Sequence, residues 1–234
     1  MANLKNKSLL KLLTGAFSMV LFMIGDWLLD AAGSGDREVG LAVHSNWPLM
    51  AQWRFVASAV LAIGGIFLTW VGAREAMELS RRVERPDSKG SRFWGKVFRF
   101  GFVCLLVYGM GFHVILCLFP IFFKTILSLG ATFDFAAEAV NASAMSVVAP
   151  LMIVYIICDL GISIAWYYMI LKKEWKLSYC ALLCCPLSTL LIDFALKAIP
   201  LQFFKDFTVA FESLGWLTMF SALALHAKRA GESE

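Results

Sequence analysis

The chain has 234 residues, of which 60% are hydrophobic, 14% aromatic and only 16% charged, with a net charge of +4 and a mean hydropathy of +0.74. Soluble domains carry roughly 45–50% apolar and about 25% charged residues, so a soluble fold cannot hide this much apolar surface. The same numbers exclude disorder, collagen, a coiled coil and a small disulfide scaffold, and leave an all-α polytopic membrane bundle.

Six stretches, all within a single domain over 1–234, are long and apolar enough to cross a bilayer core, which takes about 20 residues per helix. They run over 9–31, 50–72, 97–120, 147–171, 177–200 and 207–225. Their continuous apolar character argues against a β-barrel, whose strands alternate over about ten residues. The first stretch is too long for a secretory leader, ends in Asp26 and Asp30, and precedes no clear cleavage site. The basic residues alternate in their loops. Lys5, Lys7 and Lys11 stand on the N-terminal side of the first stretch, a dense group from Arg74 to Arg99 marks the connection of the second to the third, Lys172, Lys173 and Lys176 join the fourth to the fifth, and Lys228 and Arg229 follow the sixth. Positive residues stay on the cytoplasmic side, so six helices with both termini in the cytoplasm are expected. The basic loop reads as a topology signal and a contact for anionic lipid head groups, not as a nucleic-acid surface.

Between the third and fourth stretches, 121–145 holds apolar residues at mixed spacing together with Asp134 and Glu138, which predicts a short interfacial helix. Pro186 lies within the fifth stretch and predicts a kink there. Gly64, Gly65, Gly101, Gly109, Gly111 and Gly161 are candidate sites of close helix packing. None of the six cysteines forms a zinc-type pair, so they read as free, apolar residues. The tripeptide Asn141-Ala142-Ser143 fits a glycosylation sequon, but the short-looped chain has a bacterial character and the match carries no weight.

Ionisable residues inside a membrane are costly and face a bundle interior or a wet cavity. Counting about 1.5 Å per residue from the cytoplasmic side, Asp26, Asp30, Arg54, His113, Asp193, Lys197 and Glu212 all fall in the outer half, on five of the helices. Asp159 falls near the midplane, and the inner half is almost free of charge. The asymmetry predicts a polar pocket that opens outward and narrows toward Asp159. A carboxyl there, with no cation within one turn in sequence, is of the kind that proton relays and general acids use. A structural account stands beside this one: Asp193 and Lys197 have the spacing of a helical ion pair, and Asp26 or Asp30 can pair with Arg54. His113 next to a carboxylate suits proton transfer. His44, Ser45, Trp47 and Trp53 form an external polar and aromatic group, and His44, Trp47 and Trp53 are candidate lid residues. No nucleophile motif, cofactor fingerprint or metal-binding pattern accompanies them, so no cofactor or metal is expected and no catalytic residue is assigned.

The segments "GDWLLD" and "SNWPLMAQWRFVASAVLAIGGIFLTWVG" resemble an uncharacterised bacterial six-helix membrane family, a domain of unknown function. Its pattern falls on Gly25, Asp26, Met50, Arg54 and Gly72, covers about the first third of the chain, and implies that Asp26 and Arg54 are a linked feature. The resemblance brings no activity. Three roles follow from the sequence: a bacterial inner-membrane protein that binds or transports a small amphiphilic ligand, with or without a protonation step; a membrane enzyme doing acid–base chemistry on a lipid-like substrate; or a structural or accessory protein.

Overall fold

A computed structural model describes residues 2–232 as an all-α bundle, about 80% helical. The elements in chain order are α1 (Ala2–Asp30), a small hairpin of β1 (Glu38–Val39) and β2 (Val43–His44), α2 (Gln52–Val83), α3 (Lys89–Cys104), a π-helical turn (Leu105–Gly109), α4 (Met110–Ser128), α5 (Phe133–Leu171), a 3-10 turn (Tyr179–Leu183), α6 (Pro186–Lys197), α7 (Gln202–Thr208) and α8 (Phe211–Glu232). Four helical stretches are long and apolar enough to cross a membrane, and α7 with α8, bent by 48°, makes a fifth if counted as one span.

Helix α1 packs against α2 and α8, α3 against α5, and α2 and α5 against α4. The α1–α2 crossing is as close as two backbones allow. A Cβ on Gly72 would lie 2.5 Å from the Gly15 Cα, and a Cβ on Gly15 would meet both Gly72 and the Phe220 ring of α8. Among the glycines expected to pack closely, Gly65 fits against Phe22, Gly101 against Ile162 and Gly109 against Tyr155. Gly64 and Gly111 face nothing within 4 Å, and Gly161 makes only an ordinary contact with Val97. Two apolar clusters fill the bundle. One lies nearer the start of α1 and includes Phe98, Phe102, Trp166, Trp175 and Phe220. The other, at the far end of α1, includes Leu29, Trp47, Phe55, Cys117 and Phe123.

Several expectations are corrected. The basic region from Arg74 to Arg99 is not a long loop: α2 runs on to Val83, Ser88 caps α3, and only 84–88 is non-helical. Hydropathy marks where the apolar side chains stop, while the backbone continues as helix with charged residues on it. The interfacial helix expected in 121–145 does not exist as a separate element. Helix α4 extends through Pro120 to Ser128, a turn containing Gly130 (φ +88°) follows, and α5 starts at Phe133 and continues for 39 residues.

The stretch 177–200 is broken. Pro186 does not kink a helix interior; it opens α6, where a missing N–H costs nothing. At 12 residues, α6 spans about 18 Å, well short of a bilayer core of about 30 Å. The segment nonetheless carries the chain from one end of the bundle to the other. Trp175 stacks edge-on against His226 near the end of α8, whereas Asp206 and Phe207 bond to Gly33 and Trp27 near the end of α1. Side chains satisfy the irregular backbone at the break: Trp166 Nε1 donates to the Ala181 carbonyl (2.8 Å) and Ser188 Oγ to the Leu182 carbonyl (2.8 Å). Non-helical backbone at membrane depth requires such partners.

Replacing Gly72 with Leu should force α1 and α2 apart and cost on the order of 1–3 kcal/mol or more. A lowered thermal midpoint in lipid nanodiscs checks this; an unchanged midpoint would show that the crossing tolerates a side chain.

Candidate functional site

The residues expected in the outer half do come together at the end where α1 finishes, but not all for the same purpose. At the centre is a buried network. His113 Nδ1 lies 3.1 Å from Asp26 Oδ1, Ser213 Oγ donates to Asp26 Oδ2 at 2.6 Å, and His113 Nε2 lies 2.9 Å from Ser58 Oγ. Ser58 Oγ donates to the Gly25 carbonyl (2.9 Å) and receives the Cys117 thiol (3.3 Å). The two ring nitrogens of His113 thus face Ser58 Oγ on one side and the Asp26 carboxylate on the other. Gly25 leaves room for this. A Cβ there would stand 3.2 Å from His113 Nε2 and 3.3 Å from Ser58 Oγ, so both side chains would have to give by a few tenths of an ångström to admit one.

One step deeper, Tyr155 of α5 donates to Glu212 of α8. Asp159, one turn along from Tyr155, is buried, and its Oδ1 has no hydrogen-bond partner. Glu212 and Tyr155 lie within electrostatic reach of it, and Glu212 in turn within reach of Asp26 and His113. Four of the sequence candidates, Asp26, His113, Asp159 and Glu212, therefore form one polar column through the interior.

Arg54 stands apart from that column. The expected ion pair with Asp26 or Asp30 does not form. Instead its guanidinium donates to the carbonyls of Trp27 (3.0 Å), which also accepts from the Ala31 N–H (3.2 Å), and of Ala31 (2.8 Å), at the end of α1. Arg54 is thus a C-terminal cap for α1, favoured by the helix dipole. Asp193 and Lys197 pair with each other along α6 at 3.0 Å.

Asp30 lies above the column and lines two cavities. One, of about 360 Å³, is apolar, with Leu29, Leu116, Phe119, Val148, Met152 and Ile156 in its walls. The other, of about 470 Å³, is polar, with Arg37, Glu38, Lys197, Lys205 and Asp206 among its walls. His44 also lines both, and Trp47 lines the apolar one. Trp53, the third candidate lid residue, is 63% exposed and lines neither.

The segment from Ala31 to Ala51 is held down largely by residues outside the candidate set. Asn141 of α5 accepts from the Leu41 and Ala42 N–H groups (2.9 and 3.0 Å) and donates to the Val39 carbonyl (2.9 Å). It sits against Gly40, whose φ of +75° and lack of a Cβ the contact requires. Asp36 accepts from the Asn46 N–H and bonds His44 Nδ1 at 2.6 Å. Lys124 donates to the carbonyls of Trp47, Pro48 and Met50. Trp47 packs edge-on against Phe123 at 5.8 Å. Of the overlooked column residues, Tyr155 carries a faint signal, one turn from Asp159 on the same face. Ser58, Ser213 and Asn141 look like ordinary small polar residues. Among the described residues no three His, Cys, Asp or Glu side chains are grouped as a bound metal ion needs.

Two outcomes test this arrangement. His113→Leu strands the Asp26 carboxylate and should cost roughly 3–5 kcal/mol, while Asp26→Leu with His113→Leu should cost clearly less than the sum of the single changes; additive losses in thermal unfolding would show that the pair is not coupled. Asn141→Leu should release the hairpin, and limited proteolysis should then cut within 33–46 in the variant and not in the wild type.

No curated protein and no solved structure matches the chain. Residues 1–230 match a family of unknown function (DUF6796). The resemblance read in the first third of the sequence is thus to an uncharacterised family, and the match extends over nearly the whole length. The chain belongs to this family of unknown function.

Proposed function

We propose that the protein lies in a bacterial cytoplasmic membrane with both termini inside, and that it takes up or carries a small amphiphilic molecule through a recess on its outer face. The observation that carries the reading is that Asp30 and His44 stand in the walls of both cavities. An apolar slot adjoining a polar mouth is the shape an amphiphile demands, and both volumes fall in the range of about 300–1,000 Å³ usual for small-molecule sites.

The topology rests on the distribution of basic residues and on the path of 172–201. Four helical stretches plus the bent α7–α8 pair, with the broken segment carrying the chain across between α5 and α7, make six crossings. Arg74, Lys89 and Lys96 are exposed on the basic side and suit anionic lipid head groups. Other cations there are already engaged: Arg99 with Glu84 at 2.8 Å and Arg85 with Glu174 at 3.4 Å. The polar column beneath the recess supplies groups for a protonation step, with Asp159 at its foot.

The order Ser58, His113, Asp26 is that of a nucleophile, its base and the base's orienting carboxylate. Its setting argues against acyl transfer. Ser58 is 0% exposed, and its proton is spent on the Gly25 carbonyl. Acid–base chemistry on a lipid-like molecule is the remaining enzymatic alternative, and an accessory structural role is what is left if no ligand binds.

Mass spectrometry of molecules that co-purify with the protein tests the reading. Ala149→Trp fills the apolar slot from the lipid-facing side of α5 and serves as the control. A defined amphiphile enriched in the wild type and lost in the variant is expected. Identical phospholipids in both preparations would overturn the binding role and leave the structural one.

A further inference from the structure

The recess also specifies the charge of what it holds, provided that it holds an amphiphile as proposed above. Nearly all of the residues lining the apolar slot are aliphatic or aromatic; Asp30 and His44 are the exceptions among them. His44 Nδ1 is committed to Asp36. The Asp30 carboxyl enters no hydrogen bond and no ion pair among the described residues, and Lys197, the cation in the same polar wall within electrostatic reach, is already bonded to Asp193 at 3.0 Å. The slot therefore has in its wall a carboxyl group without a direct hydrogen-bonding or ion-pairing partner, with His44, Lys197 and Arg54 within electrostatic reach. Trp47 and His44, with ring centroids 5.8 Å apart, flank the same space.

A carboxylate beside an aromatic face, where an apolar slot adjoins a polar mouth, is the chemistry that recognises an ammonium group. Anionic head groups find less. Arg37 and Lys205 line only the polar cavity, where Asp36, Glu38 and Asp206 share the wall with them. An anion seated at the slot would meet Asp30 before it met either cation. The slot is also open sideways, through the exposed side chains of Ile153 and Ile156 on α5, so a chain can enter from the lipid.

We infer that the recess takes a cationic amphiphile, an alkyl ammonium whose nitrogen sits at the Asp30 carboxylate beside His44 and Trp47, with its chain lying among Leu116, Phe119, Val148 and Met152. No covalent step is involved; recognition is by charge, aromatic contact and apolar burial.

Three probes with the same ten-carbon chain separate the terms: decyltrimethylammonium, decyl sulfate and decyl maltoside. Each is titrated below its micelle concentration onto the protein in phosphatidylcholine nanodiscs, with empty nanodiscs as the blank. The ammonium should bind at least about tenfold more tightly than the other two, a difference of about 1.4 kcal/mol. Asp30→Asn should remove that preference while leaving the weaker apolar binding in place. Equal affinity for the three probes, or a preference for the sulfate, overturns the cationic assignment but keeps the amphiphile reading. Absence of saturable binding by any probe overturns both. The wild-type comparison stands by itself should Asp30→Asn fail to fold. If the variant folds and still prefers the ammonium, Asp30 is not the recognising group and the inference fails.

Discussion

A polar group sunk in hydrocarbon has to find its partner within the same chain. Several departures from regular helix in this bundle are arranged around that constraint. The carbonyls at the end of α1 are met by Arg54, those of the loop before α2 by Lys124, those of the 3-10 turn before α6 by Trp166 and Ser188, and the turn of the outer hairpin by Asn141. Four of these five donors come from a helix that is remote in sequence from the backbone they serve. The same constraint shapes the interior. Asp26 lies half-buried with Ser213 and His113 both bonding its oxygens, and His113 can be buried because Ser58 takes its other nitrogen. Asp159 and Asp30 break the pattern, and departures of this kind collect where a protein binds or reacts with something.

The all-α class and the positions of most apolar helices long enough to span a membrane were legible from composition and run length. The lengths of the helices were not. Hydropathy registers the apolar middle of α2 and is blind to the charged turns that extend it to Val83. It likewise gave 177–200 the appearance of a plain span, since a 3-10 turn and a short helix can carry the same side chains as a long one. Lys124, Asp134 and Glu138 made 121–145 look like surface, although it consists of the ends of two helices and one tight turn. Pro186 was visible, but its meaning depends on whether helix precedes it, and none does.

Depth along each helix was legible too, and it brought Asp26, His113 and Glu212 to a common level with Asp159 below them. What depth cannot supply is azimuth. Arg54 sits at the right height to pair with Asp26 and turns instead to the carbonyls of Trp27 and Ala31. The link expected from the sequence between Asp26 and Arg54 is not an ion pair. Gly25 leaves room for Ser58 and His113, Asp26 holds His113, and Arg54 finishes the helix that carries both.

The π turn at Leu105–Gly109 has a consequence for how the two ends of the bundle are phased. A turn with i→i+5 bonding accommodates an extra residue, so the faces buried before and after it do not follow one continuous stripe. Before it, Phe98 and Phe102 point into the aromatic packing around Trp166 and Phe220. After it, His113 and Cys117 point toward Asp26 and Ser58. One uninterrupted α-helix would have to satisfy both alignments with a single rotation about its axis. The wider turn uncouples them, so that the angular setting of the histidine is chosen separately from the packing that anchors the other half of the rod.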